Sequence, residues 1–210
     1  MSANPAKIPP GLQHDGLEAL SLLCQSGSMD WLPVAKAKLY TNAFVRQDGK
    51  LLLGYKKRGF GKGLYNGFGG KVDKGETPAE AAARELEGRL SGITAQLEHR
   101  ATLLFMSPEI TEAAHIEVYY AEKFEGTVTE SEEMRPEWFA IPDTEARHKD
   151  VIQNPKQVDD ASGLRFIPYD EMWEDDALWL PAFLSGHRFI GRADFGIDGH
   201  LQKSWFALAS

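Results

Sequence analysis

Apolar residues of this chain are concentrated in short blocks, and polar segments that contain glycine separate these blocks from one another. Such a pattern predicts strands joined by turns, because strands favour apolar residues whereas turns favour glycine, asparagine and aspartate. Two blocks flank Asp48 and Gly49, which predicts a β-hairpin with its turn at these residues. The strands predicted in this way cover residues 39–46, 51–56, 100–106, 115–124, 138–141, 188–196 and 201–208.

Two segments have the features of a helix. The first follows Thr77, a suitable N-cap, with Pro78 in the first turn and Glu80 completing a capping box. Its alanines have high helix propensity, whereas Gly88 weakens its end. The second predicted helix covers residues 168–185. Its buried face would consist of Trp173, Trp179, Leu180, Phe183 and Leu184. Helices and strands in this order predict the α/β class, with helices packed on a mixed sheet.

Two other segments do not follow this pattern. Residues 1–35 begin with a proline-rich stretch, and we interpret them as an N-terminal appendage in which Asp15 would cap a short helix. The leucines of that helix would be Leu17, Leu20, Leu22 and Leu23. Residues 143–164 are polar and charged, which predicts a long surface insertion. Residues 36–210 are therefore predicted to form one domain that carries this insertion.

The composition is that of an ordinary globular protein, with 42% hydrophobic and 26% charged residues. No apolar run approaches the ~20 residues that span a bilayer, and the first residues lack a secretory pattern. We therefore expect a cytoplasmic protein that does not bind membranes. The single Cys24 excludes an intrachain disulfide. A net charge of −8 disfavours binding to a nucleic acid polymer, but it permits a small polyanion where basic residues cluster.

A basic, glycine-rich loop after the first hairpin is the first candidate for chemistry. Its glycines permit positive φ and let the backbone approach a ligand, so that N–H groups can face phosphate oxygens. Two interpretations of its charge stay open: a solvated loop and a phosphate-binding loop. The basic residues of the loop are Lys56, Lys57, Arg58, Lys62, Lys71 and Lys74.

The residues that follow this loop are more specific. Gly70, Glu76 and the run Arg84-Glu85-Leu86 have the spacing of the Nudix signature G-x5-E-x7-R-E-U, where U is a bulky aliphatic residue. The chain resembles the Nudix hydrolase family, and within it the MutT-homologue branch of oxidised purine nucleoside triphosphate hydrolases. The resemblance covers most of residues 38–200. It implies a Nudix-type α/β/α sandwich with a mixed sheet.

The resemblance also implies a function. Nudix hydrolases of this branch cleave nucleotides such as 8-oxo-dGTP to the monophosphate and pyrophosphate, which sanitises the nucleotide pool and avoids DNA damage. The expected cofactor is Mg²⁺ or Mn²⁺, and a nucleoside triphosphate is the expected partner of a monomeric chain. Catalytic roles fall on Glu76, Arg84 and Glu85, of which Glu76 and Arg84 would hold the loop against the helix. The implied metal-binding residues are Gly70, Glu85, Glu87 and Glu133.

Base recognition would use a Trp-x-Asp-Asp element, in which Trp173 stacks and Asp175 and Asp176 contact the purine edge. Adjacent carboxyl groups can differ in protonation, so that one donates and the other accepts a hydrogen bond. As an alternative, Asp175 or Asp176 would only cap the second helix. The other implied substrate-binding residues are Thr41, Lys56, Phe60, Asn66, Phe68, Gly69, Gly70, Lys71 and Met134.

The first helix departs from the family signature after Glu85. Gly88 and Arg89 stand where the family has two glutamates, on the same helix face as Glu85. Arg89 is expected either to pair with Glu85 or to swing away from the site. Two hypotheses follow: an active nucleotide hydrolase with an altered metal site, and a catalytically impaired Nudix-fold protein that binds nucleotides. A third is an interaction protein that works through residues 1–35 and 143–164.

Overall fold

The computed structural model describes residues 7–13, 19–90, 93–155 and 159–210. A short 3-10 turn at Tyr169–Glu171 precedes the last helix. The strands and helices are β1 Leu20–Ser26, β2 Ala37–Gln47, β3 Lys50–Lys56, β4 Tyr65–Asn66, α1 Pro78–Arg89, β5 Thr94–Ala95, β6 Glu98–Met106, β7 Ala113–Ala121, β8 Phe124–Glu125, β9 Met134–Ala140, α2 Glu145–Gln153, α3 Asp176–Leu184, β10 Arg188–Phe195 and β11 Leu201–Ala209.

Within these described residues, the main sheet has nine strands in the order β1-β11-β10-β6-β7-β2-β3-β4, with β9 also paired to β3. Strand β2 runs parallel to β7 and β10 runs parallel to β6, whereas the other neighbours are antiparallel. A separate small sheet consists of β5 and β8. The prediction of a mixed sheet is therefore confirmed. No helix in the described part of the chain is long and apolar enough to cross a bilayer.

Helices cover both faces of this sheet because the side chains of each strand alternate between the faces. On β2, Ala43 and Val45 pack in the same cluster as Leu86 of α1. Phe44 lies on the opposite face, where its ring meets Trp179 and Phe183 of α3 edge-on. This arrangement is the predicted α/β/α sandwich.

The two strongest local signals in the sequence are confirmed. Asp48 and Gly49 both have positive φ, 50° and 74°, as a two-residue hairpin turn of the favoured type requires. At the start of α1, the Thr77 hydroxyl accepts from the Glu80 backbone N–H at 3.3 Å, and the Thr77 N–H donates to the Glu80 carboxylate at 2.8 Å. Helix α1 also continues through Gly88 to Arg89.

The predicted helix in the N-terminal appendage is wrong where the structure describes it. Leu20 and the residues that follow form β1, which pairs antiparallel with β11, while Asp15 and Leu17 lie outside the described residues. The edge of β11 offers unpaired backbone groups, and pairing with β1 satisfies them. Leu32 is also anchored, because its N–H donates to Asp194 at 2.7 Å and its carbonyl accepts from Arg192 at 2.6 Å. The domain boundary at residue 35 stays a prediction.

The predicted insertion, residues 143–164, stays a prediction, and it contains the capped helix α2, whose Val151 is buried; residues 156–158 lie outside the description. One further prediction needs correction. The predicted helix over residues 168–185 is interrupted, because only the 3-10 turn and α3 are helical. The interruption contains Trp173, whose N–H donates to the Asp176 carboxylate at 3.2 Å instead of to a helical carbonyl.

Candidate active site

Arg84 holds the glycine-rich loop against helix α1. Its guanidinium donates to both carboxylate oxygens of Glu76, at 2.8 and 2.9 Å, and to the Lys71 carbonyl at 3.1 Å. The hydrogen bond from Arg84 lowers the pKa of Glu76 to about 2. Glu76 therefore stays ionised, and the loop approaches the first turns of α1 in a fixed position.

The backbone of this loop lies directly against the Glu85 carboxylate. A Cβ placed on Gly70 would lie 2.5 Å from Glu85 Cδ, so only glycine allows this approach. Thr41 N–H donates to the Gly70 carbonyl at 2.8 Å, which attaches the loop to β2 as well. The Thr41 hydroxyl is buried and has no hydrogen-bond partner.

Both oxygens of Glu85 are occupied by arginines. Arg84 Nη1 donates to Oε1 at 2.6 Å, and Arg89 Nε donates to Oε2 at 2.9 Å. Arg89 Nη1 also lies 2.8 Å from Glu133 Oε2, in an ion pair. Of the two conformations expected for Arg89, the structure has the one paired with Glu85.

Glu133 shares its charge between Arg89 and Lys56. Lys56 Nζ lies 3.5 Å from Glu133 Oε1. Burial alone would raise the pKa of Glu133, but the contact with Arg89 and the charges of Arg89 and Lys56 lower it. In contrast, Glu87 is exposed on α1, as is Gly88. The structure thus brings four predicted residues together (Gly70, Glu85, Glu133 and Lys56) and leaves Glu87 apart from the contacts that join them.

The Trp-x-Asp-Asp element forms a second cluster beside the loop that follows β3. Trp173 is stacked on Phe60, with ring centroids 5.1 Å apart, and meets Phe195 edge-on. Phe60 is 80% exposed, so its ring is available to an aromatic ligand. Gly61 has a positive φ of 78°, and a Cβ at this position would lie 3.5 Å from the Trp173 indole, an ordinary van der Waals distance.

Asp175 and Asp176 are almost completely buried, with 0% and 3% of their surface exposed. Burial raises the pKa of both carboxyl groups, and their mutual repulsion raises that of Asp176 further. Trp179 Nε1 donates to Asp175 Oδ2 at 2.9 Å, while Asp175 Oδ1 is buried without a partner. Asp175 makes no capping hydrogen bond to α3, so the capping alternative does not account for its side chain.

The remaining predicted substrate-binding residues differ in exposure. Asn66 accepts from the Asn42 side chain at 2.9 Å and from Gly67 N–H at 2.8 Å, which fixes the orientation of its amide. Phe68 and Met134 are buried in the core beneath α1, where both pack against Gly54. Their proposed contribution is therefore to shape the site from within the core. The Lys71 side chain is exposed.

Sequence reasoning missed two contacts. The ion pair between Arg89 and Glu133 joins residues that are far apart in the chain, and no local pattern indicates it. The Trp179 hydrogen bond to Asp175 spans four residues, the spacing at which helical side chains meet, so this signal was present in the sequence.

Gly69→Ala is expected to lower the free energy of unfolding by about 1–3 kcal/mol and to weaken nucleotide binding. A Cβ at this position would clash with the Thr41 carbonyl oxygen, which belongs to β2 and cannot move aside. Gly88→Ala is the matched control, since its Cβ would meet nothing within 4 Å, and it should stabilise the helix by about 0.5–1 kcal/mol. Urea unfolding measures the free energy of unfolding of both variants. Equal changes would contradict the conclusion that a Cβ fits at Gly88 but not at Gly69.

The comparisons with known proteins agree with this arrangement of loop, helix and sheet. A model of the NUDIX domain matches residues 37–184, so the chain belongs to the Nudix family. It is 40% identical to an oxidized purine nucleoside triphosphate hydrolase of Danio rerio over 165 residues, which cover 78% of this chain and 89% of that protein. A protein of the same name from Mus musculus is 38% identical over 77% of this chain and 89% of its own length.

A solved structure shows the same fold. The mutator MutT protein from Bacillus halodurans superposes with a TM-score of 0.60, covering 80% of this chain and 97% of the other. At 20% identity, this likeness concerns the fold alone. The family match and the named relatives make the chain a member of a hydrolase family.

Nudix hydrolases generally use divalent metal ions, but the carboxylates of this site do not form a metal-binding group. In the part of the chain that the structure describes, no three Asp, Glu, His or Cys side chains converge on one position. Arg89 lies between Glu85 and Glu133, and Arg84 lies between Glu85 and Glu76, so arginine and lysine side chains already occupy the oxygens of these carboxylates. Mg²⁺ requires several oxygen ligands in octahedral geometry, so the residues present do not fit a resident ion here.

Proposed function

We propose that this chain hydrolyses oxidised purine nucleoside triphosphates, such as 8-oxo-dGTP, to the monophosphate and pyrophosphate. The observation that carries the proposal is the buried Asp175–Asp176 pair next to Trp173, whose ring stacks on Phe60 in the loop that follows Lys56. The two named relatives, at 40% and 38% identity, support the same substrate class.

The Asp pair supports recognition of a purine edge. Burial favours the protonated form of these carboxyl groups, so one member can donate a hydrogen bond while the other accepts one. The unpartnered Oδ1 of Asp175 is such an acceptor, and leaving a buried polar atom unsatisfied costs about 1–3 kcal/mol. Because Asp175 is fully buried, a base can donate to this oxygen only if the groups that cover it move aside, and that hydrogen bond would then remove the cost. Trp173 and Phe60 supply aromatic surfaces for stacking.

The loop that follows β3 connects this base site to a phosphate site. Lys56 is the last residue of β3, and Phe60 lies within the loop, in contact with Trp173. Arg84 and Arg89 lie beside Glu85 at the Gly70 backbone, and Lys56 lies beside Glu133, so each of these cations is paired with a carboxylate. In this proposal a triphosphate approaches the backbone at Gly70 and competes with Glu85 and Glu133 for these cations.

Pyrophosphate release by the full chain tests the proposal. The assay compares 8-oxo-dGTP with dGTP, each with and without Mg²⁺, because the use of Mg²⁺ or Mn²⁺ stays a prediction. Release that prefers the oxidised base, and that is lost in Glu85→Gln, is the expected result. Binding of 8-oxo-dGTP without any release would instead support the hypothesis of an impaired, nucleotide-binding Nudix protein.

Several other expectations stay predictions. They are a cytoplasmic location, a monomeric chain, and the absence of nucleic acid polymers and membranes among its partners. The individual catalytic, substrate-binding and metal-binding assignments also stay proposals, and variants at the residues concerned test them one by one.

A further inference from the structure

A single guanidinium bridges two carboxylates that come from different parts of the fold. Arg89 Nε donates to Glu85 Oε2 at 2.9 Å on helix α1, and Arg89 Nη1 lies 2.8 Å from Glu133 Oε2, just before β9. Glu85 and Glu133 therefore face one position from two sides, and the Arg89 guanidinium fills that position.

The three side chains of this bridge are largely buried. The side chains of Arg89 and Glu85 are each 14% exposed, and that of Glu133 is 30% exposed. Gly70 closes one side of Glu85, and Arg84 holds its second oxygen at 2.6 Å. Charges with this little exposure are screened much less than surface pairs, so each carboxylate needs a cation beside it.

We propose that Arg89 is a built-in cation that takes the position between Glu85 and Glu133 and excludes a divalent ion from it. The guanidinium and a divalent ion would use the same carboxylate oxygens, and their positive charges repel each other. The consequence of this arrangement for hydrolysis rests on the proposed function, whereas the exclusion of a divalent ion by Arg89 does not.

Titration of the full chain with Mn²⁺ alone, in the absence of nucleotide, tests the inference by electron paramagnetic resonance. Wild type is expected to show no saturable binding in the micromolar range. Arg89→Gln is expected to bind Mn²⁺ at least tenfold more tightly than wild type. Adding Glu133→Gln to that variant should remove the gain, because it removes one of the two ligands that Arg89 had occupied.

The matched control is Arg100→Gln. Arg100 is also 14% exposed and is paired with a glutamate, Glu98, at 2.9 Å, but it lies on β6. Its replacement removes the same charge and should leave Mn²⁺ binding unchanged. Binding of Mn²⁺ by wild type as tightly as by Arg89→Gln, or an equal gain in both single variants, would overturn the inference.

A second variant keeps the test decisive if Arg89→Gln does not fold. Arg89→Lys retains the charge, but a single ammonium lacks the planar fork that contacts both carboxylates at once. It is expected to bind Mn²⁺ at least threefold more tightly than wild type, and equal affinity would contradict the proposal. Because the probe is the metal alone, loss of pyrophosphate release would overturn only the proposed hydrolase function.

Discussion

The double replacement Gly88→Glu with Arg89→Glu is expected to raise Mg²⁺-dependent pyrophosphate release by about tenfold to a hundredfold. Positions 88 and 89 follow Glu85 by three and four residues on α1, so the new carboxylates would share its helix face. The change also removes the guanidinium that occupies Glu85 and Glu133. A site with four converging carboxylates would supply the oxygen ligands that Mg²⁺ requires.

Electrostatics sets the size of this expected gain. A guanidinium about 6 Å from a divalent ion is repelled by roughly 5 kcal/mol at an effective dielectric near 20. The arginine can move in part away from the ion, so the gain should fall below that limit. Each ~1.4 kcal/mol corresponds to a factor of ten in rate. A gain of one to two orders of magnitude in pyrophosphate release therefore requires the relief of only part of this repulsion energy.

The single variant Gly88→Glu is the control for this experiment. It adds one carboxylate but keeps Arg89, which still occupies Glu85 and Glu133. We therefore expect Mg²⁺-dependent release close to that of wild type. Steady-state rates measured across a range of Mg²⁺ concentrations separate tighter metal binding from faster turnover. A double variant no faster than wild type would show that these two positions do not limit the reaction.

The fold could be predicted wherever the signal was local. The hairpin at Asp48 and Gly49 and the capping box of Thr77 depend on residues within a few positions of each other, and both are confirmed. Strand β1 was missed because its conformation depends on β11, at the other end of the chain. Leucines in a short segment fit either a helix or an edge strand, and only the distant partner decides between them.

In the candidate site too, local motifs could be predicted from the sequence and contacts between distant residues could not. The departure at Gly88 and Arg89 and the spacing of the Trp-x-Asp-Asp element could be found in the sequence because both are short motifs. The ion pair between Arg89 and Glu133 could not be predicted, because it depends on how the segment before β9 packs against α1. Likewise, residue type alone did not show that Phe68 and Met134 would be buried in the core.

Asp175→Asn is expected to weaken binding of 8-oxo-dGTP by about tenfold to a hundredfold, while binding of inorganic triphosphate changes little. The asparagine oxygen can still accept from Trp179, so the fold of the element should survive. Its amide nitrogen, however, would replace the unpartnered oxygen and present a donor where an acceptor is available. Fluorescence titration with 8-oxo-dGTP, dGTP and triphosphate measures the three affinities.

Asp194→Asn is the matched control for this variant. Asp194 is a second buried carboxylate, 2% exposed, but it is paired with Arg192 on β10. Its replacement should lower the free energy of unfolding and affect all three ligands equally. If Asp175→Asn also lowered all three affinities equally, its role would be structural, and the proposal of base recognition by the Asp pair would fail.

The pH dependence of binding provides a second check on the Asp pair. Burial raises the pKa of both carboxyl groups above the value of about 4 that an aspartate has in an unfolded chain. Between pH 4 and the raised pKa values of the folded state, the folded chain therefore holds more protons than the unfolded chain, and the free energy of unfolding contributed by the pair falls as the pH rises through this window. Binding of 8-oxo-dGTP should fall in the same direction, because the protonated member loses its donor. Asp176→Asn, whose amide stays neutral and keeps a donor, should flatten this profile, and an unchanged slope would exclude the pair as its cause.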